Sequence, residues 1–587
     1  MTSPGSSRRR LAAGTVVVVA TLLATAACGG GGSSSSAKAP GFNAAVKGVV
    51  ANKSTKTGGT IKYAGAQDFD SLDPTRQYYG FAWDFSRYYS RQLVSFTAAP
   101  GSKSTELTGD LATSNAKITD NGKTYTYTLR DGVTWQDGSA ITSKDVKYGI
   151  ERSWAQDVLS GGPTYLNQIL DPKGEYKGPY KDKTADKLGL KAIDTPDDKT
   201  IVFHLPKANG DFEQILALPS ASPVKASKDT AAKYTLQPFS SGPYKFATAY
   251  SPGKGGTLVR NTAWKKSSDP IRAALPDKVS VAINSSADDI DNRLIKGDYD
   301  LDLNATGLSQ AGRTKALKQY KANVDNMTTS YIRYAVFAST VKPFDNINCR
   351  KAVIYAADHT ALQTARGGPL AGGALAPNML PTSIKGSDSY DPYSILKGAA
   401  DTTKAKAALA ACGKPNGFST TIAVRNNKPA EVATAEALQE SLAKVGITAQ
   451  IDQIDGAQSS SITGSPSVVK KKGYGIDISG WGPDFPTGQG FLQPLIDGRF
   501  VLQSGNYNFS ELNDASINKL FDQAIAETDP VKAGDIYQQI NHKLSDEAWY
   551  LPFVYEKNIT WRSTRLTNVY QADAYGGRYD YVNLGVK

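Results

Sequence analysis

The chain has 587 residues, 40% of them hydrophobic and 21% charged, and a net charge of +12. That length exceeds one ordinary core and predicts two or three lobes of α/β character, while a mean hydropathy of −0.37 excludes a chain embedded in membrane for most of its length. No block of interleaved basic and aromatic residues accompanies the charge, which argues against nucleic acid as a partner and leaves a mixed, solvated surface, or one that favours anionic ligands.

The N-terminus carries the first pattern. Arg8, Arg9 and Arg10 precede an uncharged apolar run, Leu11 to Ala27, shorter than the roughly 20 residues a spanning helix needs. A positive start, an apolar middle and small residues at the end predict an export signal over residues 1–27. Its end, Thr25-Ala26-Ala27-Cys28-Gly29, resembles a bacterial lipobox, with Thr25 where Leu is usual. The resemblance implies cleavage before Cys28 and lipidation of Cys28, hence a lipid anchor on the extracytoplasmic face of the cell membrane. Ser7 to Leu11 also loosely resembles a twin-arginine signal. Four glycines and four serines follow Cys28 and cannot bury apolar surface, so residues 28–58 read as a flexible tether. The other two cysteines, Cys349 and Cys412, would then face an oxidising compartment, where an even number favours a disulfide; two buried free thiols are the alternative.

Regular structure is predicted from Gly58, with an alternating strand through Tyr63. The turn-rich Asp68 to Pro74 follows, then a helical pattern from Phe81 to about Phe96. Asp120-Asn121-Gly122-Lys123 separates two extended runs, the second being Thr124 to Leu129, and predicts a hairpin. Thr142 with Asp145 three residues on predicts a capped helix start. Strands at 199–205, 279–283 and 447–451 alternate with helices at 430–445 and 530–547, which predicts a largely parallel sheet covered on both faces.

Several of these segments occur in an order that resembles one family. Leu107 to Trp154, with Leu129-Arg130-Asp131-Gly132-Val133 and Asp137-Gly138 inside it, closely resembles the dipeptide/oligopeptide class of ABC-transporter solute-binding proteins. Ser241-Gly242-Pro243-Tyr244, Gly297-Asp298-Tyr299-Asp300, Arg350 to Asp358 and Gly480-Trp481-Gly482-Pro483-Asp484-Phe485 follow in the family's order. The resemblance covers residue 59 to the C-terminus. It implies an α/β, two-lobed periplasmic-binding-protein-like fold (type II) with an inserted third subdomain and a hinge. By analogy 59–82, 195–324 and 549–587 form lobe I, 83–194 the insertion and 325–548 lobe II. It further implies a monomer that captures short peptides in the interlobe cleft and delivers them to ABC permease and ATPase subunits, with no cofactor.

A free peptide carries an ammonium and a carboxylate, and a closed cleft must partner both. The resemblance assigns the ammonium to Asp484, with Trp481 and Gly482 lining the cleft, and the carboxylate to Arg425. Other solutes on the same architecture (a metal chelate, haem or an oligosaccharide) remain open, as does a peptide-sensing lipoprotein without transport. Only three histidines occur, at 204, 359 and 542, which argues against a metal site. The chain also lacks His-Glu-x-x-His, Gly-x-Ser-x-Gly and a phosphate-binding glycine loop, so an enzyme is not expected.

Overall fold

The computed structural model describes residues 41–587; the signal, Cys28 and the whole Gly/Ser run after it lie outside the described residues. Two sheets organise the two lobes. In the first, Thr60–Gly65 runs parallel to Lys278–Ile283 on one side and Leu301–Asp302 on the other, and Gly255–Arg260 and Tyr244–Phe246 complete it antiparallel. Ile61 and Tyr63 bury one face against Phe81, Phe85 and Tyr88, while Ala64 packs on the other face with Ile290 and Leu294. The sheet is covered on both sides: Ile61 and Tyr63 are buried on one face and Ala64 on the other, with the half-buried Thr60 and Lys62 at the start of the strand.

In the second sheet Ser419–Arg425 lies parallel between Thr448–Ile454 and Tyr474–Trp481. Val324–Phe337, Tyr550–Trp561 and Ala374–Leu375 extend it antiparallel. Both sheets are therefore mixed rather than largely parallel as expected: the strands that enter through hairpins or long returns are free of the crossover rule that governs βαβ units. Helix Pro429–Ala443 follows its predicted span, ends before Gly446 at φ 88°, and buries Ala435, Leu438 and Leu442 on this sheet.

A four-stranded antiparallel sheet forms the insertion. The predicted hairpin pairs Lys117–Thr119 with Thr124–Thr128, its turn made by three consecutive left-handed residues, Asp120, Asn121 and Gly122. Thr142 and Asp145 close the predicted capping box. Thr200–His204, assigned above to lobe I, belongs here: Ile201 and Phe203 pair opposite Tyr127 and Tyr125, and the apolar core of the insertion continues to Ala221. The predicted helix from Phe81 to Phe96 stops at Ser86, and Val94–Phe96 is a strand paired with Leu107–Gly109. Helix-like spacing misleads here because Tyr88 and Tyr89 are buried in a core that surrounds the chain.

Two long strands join the lobes. Val324 pairs with Trp561 at one end and Val336 with Tyr550 at the other. The first pair packs among lobe I residues such as Ala64 and Ile290, whereas Ala335, Leu551 and Phe553 lie in the lobe II core. The boundary expected at 549 thus falls at the start of a strand whose first half belongs to lobe II. The register breaks between Thr328 and Ile332, where the pair crosses from one lobe to the other. Residues 566–586 return to lobe I, as Leu566, Tyr581 and Leu584 enter its core. The expected tether is also shorter than 28–58. Ala45 and Ala51 are buried, Asn43 and Gly41 accept hydrogen bonds from the amide of Asn326 and from Arg562, and the chain from 41 onward is docked.

Candidate functional site

Strand Tyr474–Trp481 delivers its last residue to the cleft face of lobe II, opposite Ile332. The chain then passes the ring of Tyr331 so closely that a Cβ on Gly482 would lie 2.6 Å from it; only glycine fits. The turn is closed by the amide of Asp484 donating to the carbonyl of Gly490 at 3.0 Å, ahead of helix Gly488–Ile496.

Asp484 is 9% exposed and meets side chains from two other parts of the molecule. Tyr78, from the lobe I segment after the Asp68–Pro74 turn, donates its hydroxyl to Oδ2 at 2.9 Å. Tyr165, from the inserted subdomain, donates to the same oxygen at 2.6 Å. Oδ1 accepts no hydrogen bond from any described residue. Burial raises the carboxyl pKa to about 6 against the lowering effect of the two phenols, so the group is mostly ionised at neutral pH. An ionised carboxylate with one oxygen saturated and the other free is built to accept a donor, and a cation best of all.

Aromatic rings frame this carboxylate. Tyr78 stacks parallel to Tyr507 at 6.2 Å, and Tyr507 lies 4.9 Å from Trp481. Trp481 is buried, with its indole N–H unpartnered among the described residues. Phe485 packs edge-on to Tyr165 at 5.3 Å, and Thr487 donates to Asp211 of the insertion at 2.6 Å. A cavity of about 20 Å³, room for about one water, is bounded by Trp83, Arg87, Gln92, Tyr575 and Asp484. Anything larger must enter by parting the lobes.

Arg425 stands at the end of strand Ser419–Arg425, but its fork is engaged. Nε donates to Glu431 at 2.8 Å and Nη2 to the other carboxylate oxygen of the same residue. Glu431 comes from the first turn of the following helix and also lies 3.7 Å from Arg333. Cys349 and Cys412 are joined as a disulfide in lobe II, with Cα atoms 5.3 Å apart, away from this site.

Residues 106–500 match the family described as bacterial extracellular solute-binding proteins, family 5 Middle. This chain belongs to that family. Among curated relatives, the probable D,D-dipeptide-binding periplasmic protein DdpA of Escherichia coli K12 is 26% identical over 84% of this chain and 87% of its own. The glutathione-binding protein GsiB of Escherichia coli K12 is also 26% identical, over 80% and 84%. Among solved structures, clavulanic acid biosynthesis oligopeptide binding protein 2 superposes with a TM-score of 0.89 at 38% identity, covering 93% of this chain and 99% of that one. DppA of Helicobacter pylori, solved in complex with the peptide STSA, shares the fold at a TM-score of 0.71 and 21% identity, over 91% and 99%. The two-lobed α/β architecture with hinge strands is that of family 5 solute-binding proteins.

Within this family 5 protein, Asp484, Trp481 and Gly482 come together between the lobes, whereas Arg425 stands at the end of its strand with its fork held by Glu431. Sequence reasoning missed Tyr78, Tyr165 and Tyr507. Tyr78-Tyr79 directly after a turn was the only local signal for the first, and nothing near Tyr165 or Tyr507 distinguishes them from core aromatics. It also missed Glu431 as the partner of Arg425, although six residues separate a strand end from a first helical turn. Among the described residues no group of histidine, cysteine and acidic side chains could hold a metal ion, and no helix is long and apolar enough to cross a membrane.

Proposed function

We propose that this protein is the substrate-binding lipoprotein of an ABC importer: it captures di- and oligopeptides with free N-termini between its lobes and hands them to the permease and its ATPase. Asp484 takes the peptide α-ammonium on Oδ1, while Tyr78 and Tyr165 hold Oδ2 and so aim the carboxylate. Trp481 and Tyr507 supply the apolar walls. The reading rests above all on one observation: a buried, ionised carboxylate between the lobes that keeps one oxygen free. The names of the dipeptide-, glutathione- and oligopeptide-binding relatives support a peptide-like ligand. Cys28 is the lipidated mature N-terminus, the chain works as a monomer on the extracytoplasmic face, and it is not an enzyme.

The test is native mass spectrometry of ligands that co-purify with the protein, followed by calorimetric titration of the peptides found and of their N-acetylated forms. Tight binding of the free peptide and loss on acetylation is the expected pair of results. Co-purification of a sugar, or equal binding of both peptide forms, would defeat the reading.

A further inference from the structure

The cavity beside Asp484 has a second charged wall. Asp484 is the only residue that lobe II supplies to it; the other walls include Trp83, Arg87, Leu218 and Tyr575. Nη1 of Arg87 lies 3.0 Å from Oδ1 of Asp84 and 3.1 Å from Oδ1 of Asp580, and the guanidinium sits over the ring of Tyr575, 4.2 Å from its centroid. The Arg87 side chain is 3% exposed, yet its Nε and Nη2 have no partner among the described residues. These two groups form the edge with which arginine takes an acceptor side by side. In Arg333 and Arg425 the same edge is filled, by Glu556 and by Glu431. Neither Asp84 nor Asp580 borders the cavity, so Arg87 meets it from the side away from its two carboxylates. Trp83, Leu218 and Tyr575 share one apolar core, which holds this wall together whether or not Asp484 closes on it.

Burying a cationic fork without an acceptor is costly, and such a group asks for a partner. The cavity is narrow, so a ligand whose ammonium sits on Oδ1 of Asp484 brings its next atoms against Arg87. The second carbon from that ammonium carries a carbonyl oxygen in an α-linked peptide. In a free amino acid or a γ-glutamyl peptide it carries a carboxylate instead. Both accept from an arginine fork, and charge separates them. Two acids already face Arg87, and burial lifts the Asp84 carboxyl to about 7 against the pull of Arg87, with Asp580 adding to the rise. A corner where one base faces two acids, one of them about half protonated at neutral pH, has no charge to spare for a third carboxylate. A neutral carbonyl brings none.

We infer that Arg87 binds the carbonyl oxygen of the ligand's first residue, beside the ammonium held by Asp484, and thereby selects α-linked peptides. Free amino acids and γ-glutamyl peptides, which put a carboxylate at that position, are rejected. The inference deepens the peptide reading above and rests on it.

The experiment titrates three peptides, Ala-Ala-Ala, α-Glu-Ala-Ala and γ-Glu-Ala-Ala, into the wild type and Arg87→Lys by calorimetry. The two glutamyl isomers share composition and charge and differ in which group stands beside the ammonium. The wild type should bind the α-isomer about tenfold or more tighter than the γ-isomer. Arg87→Lys keeps a charge between Asp84 and Asp580 and loses the fork. It should weaken Ala-Ala-Ala and the α-isomer about tenfold or more and leave the γ-isomer unchanged. Denaturant melts check that the variant folds; if it does not, the wild-type comparison of the isomers decides alone. Equal binding of the two isomers, or full affinity for Ala-Ala-Ala in folded Arg87→Lys, would overturn the assignment. Tighter binding of the γ-isomer would put a carboxylate on the fork and overturn it too. If the wild type binds none of the three, the peptide reading falls and this inference with it.

Discussion

Replacing Asp484 with Asn should weaken ligand binding and at the same time stabilise the empty protein. A carboxyl whose pKa rises from 3.8 to about 6 on burial is held charged at a cost. The shift of about two units corresponds to an energy on the order of 3 kcal/mol. The sign follows from linkage: the folded protein binds this proton more tightly than the unfolded chain, so the contribution to stability is complete below the unfolded pKa and is lost as pH rises through about 6. At pH 7 the wild type bears the full penalty and Asp484→Asn bears none, because the carboxamide oxygen still accepts from Tyr78 and Tyr165. The variant should therefore be more stable by up to about 3 kcal/mol at pH 7, with the gap narrowing to about half by pH 5. Ligand binding should move the opposite way. An ammonium facing no charge loses on the order of 3–5 kcal/mol, or two to three decades in affinity. The ionised fraction of a group with pKa about 6 falls from about nine-tenths at pH 7 to one-tenth at pH 5, so wild-type affinity should drop about tenfold over that range while the variant stays flat. Denaturant melts of the empty proteins and calorimetry with free and N-acetylated peptide measure all of these. A variant that is less stable at pH 7 and equally impaired for both peptides would show Asp484 to be a structural turn residue.

Other parts of the molecule yield sharper single tests. Cys28→Ala should leave the protein in the soluble fraction after cell breakage; unchanged membrane association would place the anchor elsewhere. Cys412→Ser opens a 63-residue separation and should cost about 3–5 kcal/mol on loop-closure grounds, which reductant alone should reproduce in the wild type. Arg152 donates to both oxygens of Asp73 at 2.9 and 2.8 Å and to Asp229 at 3.0 Å, so Arg152→Met strands two carboxylates and should destabilise by about 3–5 kcal/mol in denaturant melts; a change under 1 kcal/mol would mean water reaches the site. Small-angle scattering of the empty protein should report a more compact particle at pH 5 than at pH 7, and no change would remove charge from the account of closure that follows.

What could be read from the chain was what local physics decides. The Asp120–Lys123 hairpin, the Thr142 capping box and helix Pro530–Asp546 all stand where turn chemistry and periodicity put them. The Asp484 segment stood out only through its resemblance to the family's Gly-Trp-x-x-Asp-aromatic segment; on local grounds an acid before an aromatic-Pro pair reads as a turn, and the glycine that clears Tyr331 has no signature in the sequence. What failed was set by distant partners. Thr200–His204 joins the insertion because Ile201 and Phe203 meet two tyrosines more than 70 residues earlier, and no local feature announces that pairing. Helical spacing at 81–96 was overruled by burial on every side. Tyr78 and Tyr165 became site residues only when the lobes met, and the occupied fork of Arg425 depends on which way a helix begins.

Closure of this cleft sets hydrogen bonds against charge. Thr487 to Asp211, Tyr165 and Tyr78 to Asp484, and Arg578 to the hydroxyl of Tyr331 at 3.1 Å all bridge lobe II to the rest of the molecule. Each contributes about 1 kcal/mol net, so the four together favour contact between the lobes by a few kcal/mol. Against them, closure buries Asp484 and Asp211, and burial raises both carboxyls to about 6. At neutral pH both are mostly ionised, and their desolvation offsets much of what the bridges contribute. A bound ammonium cancels the Asp484 part only. The ligand thus shifts the open–closed balance by the amount its charge relieves, which is the differential affinity that any ligand-driven change requires. An uncharged solute of the same shape would fill the same space and leave the carboxylate uncompensated. Selectivity for a free N-terminus and closure around it are, on this account, one electrostatic event.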